Sequence, residues 1–432
     1  MSGDEILTVN WLSTTIVALR ARSGKRVLKN VAALSISQVA SYVLPLIVLP
    51  YTAAVLGPRY FGVVALTQAA VQYSTLITNY GFSLSATRQA ALSQNDRRRL
   101  SEIVVHVWAA KCVLMLGCLA GSTGVFLFLP SLRPHVGPYL CGFLTVLGNV
   151  LYLDWFFQAV EEMKWITVIT VTPRLLLTPL IFVFVKAPSD YIWLILIQSA
   201  TFLISGMLGA ALVRYRLGLQ LPLPTVAGVS GQLRDGWQTF LANVSVNLYT
   251  SSNIVVLGML SNVTTVGYYS AGQRIVGALQ SLWSPFNQSL YPHFCNAFHQ
   301  DKVRATRQLR TLAALVGSIT ACGATVACVL APWVVPLYLG PRFLHSVGVI
   351  QILVFSIFFV TLNNVFGFDG LLALGLYNAF RRVVSVAAIL SLLLAVSGIT
   401  LFGTLGLAGA YVLVEAFVCG SQYGVLRRTI QF

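Results

Sequence analysis

Five ionisable side chains lie inside stretches that are otherwise apolar: Lys111, Asp154, Arg174, Arg274 and Glu415. A charge at mid-bilayer costs roughly 2.5–3.5 kcal/mol on insertion scales, so such groups face a partner or a watery cavity. Arg274 carries the clearest chemistry. A guanidinium offers planar, paired donors that match phosphate oxygens and keeps its charge when desolvated. A structural ion pair with Asp154 or Glu415 is the alternative. Arg174 sits between Pro173 and Pro179, where a helix kinks and frees carbonyls, so it either lines a cavity or satisfies the kink. Lys111 lies near the start of its apolar run, and its long stem can snorkel outward. Arg88 closes an apolar run, as a contact for an anionic group or as a topology charge. Glu415 and Asp154 are candidates for ion coupling, with a plain salt bridge as the alternative; Asp154, beside Tyr152 and Trp155, also reads as interfacial.

Other chemistry finds no support in the pattern. His106, His135, His293, His299 and His345 are scattered, and the seven cysteines form no CxxC pair. No metal, no cofactor and no disulfide is expected. Nucleotide-binding loops, nucleophile elbows and paired catalytic carboxylates are missing as motifs.

The elements that carry these residues follow from composition. The chain has 432 residues, 57% hydrophobic and 9% charged, with a mean hydropathy of +0.79. A water-soluble core cannot absorb that many long apolar runs, so the class is an all-α polytopic membrane protein. Twelve runs of spanning length are present: 31–56, 60–84, 103–129, 136–160, 165–185, 191–213, 236–260, 266–291, 311–339, 344–366, 383–402 and 405–426. Each is about long enough to cross a ~30 Å hydrocarbon layer at 1.5 Å per residue. The first two form a helical hairpin through Leu56-Gly57-Pro58-Arg59. The longest internal polar connection, 214–235, divides the chain into six-helix halves at 30–213 and 236–432. Residues 1–29 read as a cytoplasmic or interfacial lead-in. Asp4 and Glu5 precede its modest apolar segment and the basic residues follow, the reverse of signal-peptide order.

The formal charge of +16 would suggest nucleic acid in a soluble protein, but here its placement decides. Of 28 Lys and Arg, four (Arg59, Arg133, Lys186, Arg342) fall in loops opposite the termini, three (Lys111, Arg174, Arg274) fall inside spans, and the remaining 21 lie on the terminal side. That bias places both termini in the cytoplasm and excludes a nucleic-acid partner. A faint internal repeat aligns Phe61-Gly62 to Gln68 with Val266-Gly267 to Gln273, matching a Gly and a Gln. It sets the second span over the eighth.

Two ordered blocks carry a family resemblance. The first holds Gln38, Tyr42, Leu44-Pro45-Leu46, Leu49-Pro50-Tyr51, Leu56-Gly57-Pro58, Phe61-Gly62, Gln68, Gln72-Tyr73 and Tyr80-Gly81-Phe82-Ser83-Leu84-Ser85-Ala86-Thr87-Arg88. The second holds Gly236-Trp237, Leu248-Tyr249-Thr250-Ser251-Ser252-Asn253, Gly267-Tyr268-Tyr269-Ser270-Ala271, Arg274-Ile275, Gln280-Ser281-Leu282 and Leu290-Tyr291-Pro292. Over roughly residues 25–432 the chain resembles the bacterial polysaccharide (O-antigen) flippases of the multidrug/oligosaccharidyl-lipid/polysaccharide exporter superfamily.

The resemblance implies two six-helix halves around a central cavity and a lipid-linked oligosaccharide as substrate. Undecaprenyl-pyrophosphate-linked repeat units would cross the inner membrane by alternating access, among membrane lipids and alongside polysaccharide polymerase or assembly proteins. Arg274, Arg174, Lys111 and Arg88 would then meet the anionic headgroup. Tyr249, Asn253, Tyr268 and Asn287 would offer hydroxyl and amide contacts to sugars, with membrane-belt packing as the alternative for the aromatics. A multidrug exporter of the same superfamily would favour acidic cavity residues, against three cations and two acids here. A membrane glycosyltransferase or polymerase would need a sizeable extracytoplasmic loop, and every such connection is short.

Overall fold

The computed structural model describes residues 44–216, 218 and 222–430, without the side chains of residues 216, 245, 249–251 and 284–289. The lead-in and the start of the first span lie outside the described residues. All regular structure among those described is helical. The chain runs through α1 (residues 44–79), α2 (Phe82–Leu92), α3 (Arg97–Phe128), α4 (Val136–Leu151), α5 (Asp154–Ala159), α6 (Met163–Phe184) and α7 (Tyr191–Ala211). After the connection come α8 (Val226–Leu260), α9 (Val263–Ser281), α10 (Ser284–Gln300), α11 (Lys302–Leu339), α12 (Ser346–Leu353), α13 (Phe355–Asn364) and α14 (Tyr377–Ile430).

Eight helical segments are long and apolar enough to cross a bilayer, or nine with the bent α8. Two of the eight turn back on themselves. Gly57 and Gly403 carry φ of +64° and +61°, a backbone region that side chains with a Cβ rarely adopt. Residues on both sides of Gly57, such as Val48 and Val71, line one cavity, which a straight helix would hold far apart. α9 is not among the apolar segments, although the eighth expected span falls on it. Its Gln273, Arg274 and Gln280 line cavities rather than lipid, and interior polarity defeats a test based on hydropathy.

Element boundaries moved where polar residues found partners. The helix of the seventh expected span starts at Val226 rather than Gly236, capped by Thr225 Oγ1, which accepts from Gly228 N at 3.1 Å. Gln232 donates to Gln89 at 2.7 Å and Gln89 donates to Asp235 at 2.9 Å, so residues read as linker are helix docked on α2. The fourth expected span, 136–160, is interrupted. α4 ends at Leu151, Tyr152 is extended, and α5 begins at Asp154.

The cores differ between the two ends of the bundle. At the Gly57 end, one cluster joins both halves through Phe61, Tyr139, Val266, Tyr269, Leu339, Phe343 and Leu407. At the Arg97 end, one cluster gathers Phe82, Leu100, Trp155 and Phe156 of the first half, and a separate one gathers Phe294, Phe298, Leu309 and Leu426 of the second. The glycines aligned by the internal repeat meet at the joined end. A Cβ on Gly62 would clash with the Val263 carbonyl, and one on Gly267 with that of Pro58. The α1–α9 crossing therefore depends on two small residues in equivalent positions.

Candidate functional site

Two connected chambers of about 510 and 560 Å³ occupy the first half and its border with the second. They share Gln72, Thr75, Asn149, Arg174, Thr201 and Phe202. Lys111 and Asp154 line the first chamber, Arg274 lines the second, and Arg174 stands at their junction. The structure thus brings four of the five intramembrane charges to one cavity. The fifth, Glu415, lines a cavity of about 520 Å³ in the second half.

Lys111 does not snorkel. It is 2% exposed, and its Nζ donates to Asn79 Oδ1 at 3.0 Å and to the Asn149 carbonyl at 3.2 Å. The break after Leu151 explains this contact. The last carbonyls of α4 have lost their helical donors, and a cation near a helix C-terminus supplies one. Asp154 occupies the first turn of α5 and interacts electrostatically with Lys111. A carboxylate is favoured at that N-terminal end. The two charges therefore stabilise opposite sides of a broken membrane helix.

Arg274 stands apart. Its guanidinium donates to Gln68 Oε1, and Gln68 in turn donates to Gln198. The guanidinium carbon lies 5.0 Å from the centre of the Phe61 ring, a cation–π distance. Salt bridges of Arg98 and Arg99 with Glu102 are present on the exposed start of α3. The ion pair of Arg274 with Asp154 or Glu415, the structural alternative, is not formed. Neutral carboxamides hold a guanidinium in place without cancelling its charge. Arg174, from the proline-bearing α6, has Tyr152 as an electrostatic neighbour.

In the second half, Asn363 Nδ2 donates to Glu415 Oε2 at 2.7 Å and to the Glu415 carbonyl at 3.2 Å. Gln273, Gln280, Asn364, Tyr411 and Gln422 complete the polar lining. α8 and α9 form the partition between the cavities. Successive helical residues point about 100° apart, so Arg274 faces the first-half cavity while Gln273 faces the second. On α8, Asn243 and Asn247 face one side and Val246 the other.

Several candidates are not brought to these cavities. Arg88 is exposed on α2. Asn253 is buried at 2% exposure but lines neither cavity. Tyr268 packs its ring 5.1 Å from His345 and 6.1 Å from Phe343. The side chains of Tyr249 and Asn287 lie outside the described residues. Charge-based reasoning passed over the carboxamides Gln68, Asn79, Asn149, Gln198, Asn363 and Gln422; amides inside apolar runs were the available signal. Asp369 was also missed, because residue 369 fell between the tenth and eleventh expected spans. It lies on a π-helical segment, Val365–Leu372, fully buried, with both carboxylate oxygens unpartnered among the described residues.

Known proteins share both sequence and architecture. Residues 27–298 match the family described as polysaccharide biosynthesis protein. The chain belongs to that family. A putative O-antigen transporter of Escherichia coli (strain K12) is 29% identical over 390 residues, covering 90% of this chain and 94% of the relative. The lipid II flippase MurJ, in an inward closed conformation, superposes with a TM-score of 0.74 at 11% identity over 93% of this chain and 87% of MurJ. An inward-facing multidrug resistance MATE family transporter of the MOP superfamily gives 0.68 at 13% identity, over 93% and 98% of the two chains. At such identities the structural likeness establishes the fold. This polysaccharide biosynthesis family member is a multi-pass helical membrane protein with the MATE-like architecture that the resemblance implied.

Proposed function

We propose that the chain is a flippase that carries undecaprenyl-pyrophosphate-linked oligosaccharide units across the bacterial inner membrane, from the cytoplasmic to the periplasmic leaflet. The observation that carries this reading is the first-half cavity, where Lys111, Arg174 and Arg274 face a single acid among the described residues, Asp154. Moving a pyrophosphate through hydrocarbon requires cationic donors that substitute for its hydration. Arg274, held by Gln68 and Phe61 rather than by a carboxylate, supplies such a donor set. Alternating access between the two halves would admit the headgroup on one side and release it on the other while the lipid tail stays in the bilayer.

The loop charges support an orientation with both termini in the cytoplasm, the Arg97 end inside and the Gly57 end outside. Reporter fusions at the C-terminus and at Lys186 test that arrangement, with cytoplasmic and periplasmic activity expected in turn.

The functional test is complementation of a strain lacking its polysaccharide flippase, with the cognate repeat unit supplied. Restored surface glycan and cleared lipid-linked intermediate are the expected result. Trapped intermediate despite normal membrane levels of the protein would sink the reading. An exporter of cationic compounds is the second reading, favoured by the buried Glu415 of the other cavity. It predicts drug resistance on expression, and no glycan phenotype.

A further inference from the structure

The two connected chambers of the first-half cavity differ in what their polar groups are free to do. In the chamber toward the Gly57 end, Gln68 and Gln198 are taken up in holding Arg274, and Thr145 donates to Ser199 at 3.1 Å. Much of its remaining wall is apolar, with Val48, Leu49, Val71, Leu194 and Ile195. The chamber toward the Arg97 end carries the carboxamides Gln72, Asn149, Asn243 and Asn247, drawn from α1, α4 and α8. Backbone carbonyls orient two of them: Asn243 Nδ2 donates to the Tyr80 carbonyl at 3.4 Å and Asn247 Nδ2 to the Asn243 carbonyl at 3.0 Å. Only the nitrogen of an amide can face a carbonyl, so both Oδ1 atoms are left for other partners. Asn149, Asn243 and Asn247 are half-buried and Gln72 is exposed. The sealed, unpartnered polar atoms among the described residues lie on other side chains, so these four amides open to the chamber. The ions beside them offset each other. Lys111 is held by Asn79 and the Asn149 carbonyl and interacts with Asp154, so an anion gains little there.

We propose that the carboxamide-lined chamber is the subsite for the first sugar of the headgroup, while Arg174 and Arg274 hold the adjoining pyrophosphate. The inference rests on the flippase reading and adds the order in which one substrate lies along one cavity. A carboxamide accepts through its oxygen and donates through its nitrogen, so it pairs with a sugar hydroxyl in either role without adding charge. Four such groups on three helices suit a ligand with hydroxyls spread around a ring. The volume, about 510 Å³, falls within the usual range of small-molecule sites. Continuity is the further requirement, because a pyrophosphate-linked sugar is bonded directly to the terminal phosphate and the two subsites must adjoin. Arg174, Gln72 and Asn149 belong to the lining of both chambers. A headgroup with its phosphates at Arg174 and Arg274 therefore reaches the amides without crossing a helix.

Binding of charge-matched probes to the full chain in lipid nanodiscs tests the proposal. All are farnesyl pyrophosphate diesters, capped on the terminal phosphate by methyl, by a hexose or by an N-acetylhexosamine. The wild type is expected to bind at least one sugar-capped probe about tenfold more tightly than the methyl-capped one, on the order of two added hydrogen bonds. In the Asn243→Leu/Asn247→Leu variant that advantage should shrink to about twofold or less. Its affinity for the methyl-capped probe should stay within about twofold of wild type, which also reports intact folding. Arg274→Gln should do the reverse, weakening every probe while leaving the sugar advantage in place. A double asparagine variant that keeps the full sugar advantage overturns the subsite. Should that variant lose the methyl-capped probe as well, the milder Asn247→Ala decides, with the advantage expected to fall about threefold and an unchanged advantage overturning the subsite. Equal binding of every probe by the wild type also overturns it, while leaving the flippase reading to stand on the pyrophosphate. If no probe binds the wild type, the flippase reading falls and the subsite with it.

Discussion

The first-half cavity gathers Lys111 and Arg174 of its own half, Arg274 from α9 and one acid, Asp154; the second-half cavity holds Glu415 among the carboxamides Gln273, Asn363 and Gln422. The halves share a helical plan, and their repeat-related glycines even touch at Gly62 and Gly267. Their linings nevertheless differ in charge, with three cations and one acid in the one and an acid without a cation among the described lining residues of the other. A single wide pocket of mixed polarity would let charges neutralise one another. Separating them across α8 and α9 keeps Arg274 from pairing with Glu415, so its donors stay available to an anion.

The largest effect that would break this contrast is expected at Arg274. Arg274→Gln should reduce transport by about 30-fold or more, the scale of losing a desolvated charged hydrogen-bonding partner at about 2–5 kcal/mol, with normal membrane levels. Arg274→Lys should recover part of it, since the charge remains but the paired donors do not. Complementation with quantified lipid-linked intermediate measures both. Transport by Arg274→Gln equal to wild type would remove the donor side of the comparison.

Lys111 sharpens the contrast from within the first half, because it supports the broken helix through Asn149 as well as lining the cavity. Lys111→Met should destabilise the protein by about 1–3 kcal/mol, through the stranded Asn149 carbonyl and the exposed helix end. Asp154→Asn should cost less. Thermal melts in detergent should show the double variant losing less than the sum of the singles, as coupled residues do. Additive losses would separate the two charges.

The second half yields a smaller effect. Glu415→Leu strands the Asn363 amide and should cost about 1–2 kcal/mol of stability. Glu415→Gln, which still accepts through its carbonyl, should cost under about 1 kcal/mol by the same melt. Equal losses would show that the Asn363 contact contributes little.

Much of this was legible in the sequence where the physics is one-dimensional. Apolar run length marked the spanning segments, and Gly57-Pro58 marked the first hairpin, because φ near +64° there favours glycine. The intramembrane charges were visible because charge in an apolar run is costly and therefore informative. What stayed hidden depended on contacts between distant residues. The break in α4 is supported by Lys111 from α3, 38 positions from Asn149, and no local pattern announces it. The helical start of α8 depends on Gln89, and its polar residues looked like a loop until they were paired. Carboxamides carry no charge signal, so Gln68 and Asn363 gave little warning that they orient Arg274 and Glu415.

The most direct test of the central claim is leaflet movement itself. The purified chain would be reconstituted in liposomes with a short-chain pyrophosphate-linked saccharide, and the fraction reaching the outer leaflet followed by a membrane-impermeant, sugar-modifying enzyme. The account predicts protein-dependent exposure of the substrate that is lost in Arg274→Gln and unaffected by replacing Leu401, a residue exposed on the outer surface of the bundle. Exposure at the protein-free rate, or equal exposure with and without Arg274, would contradict it.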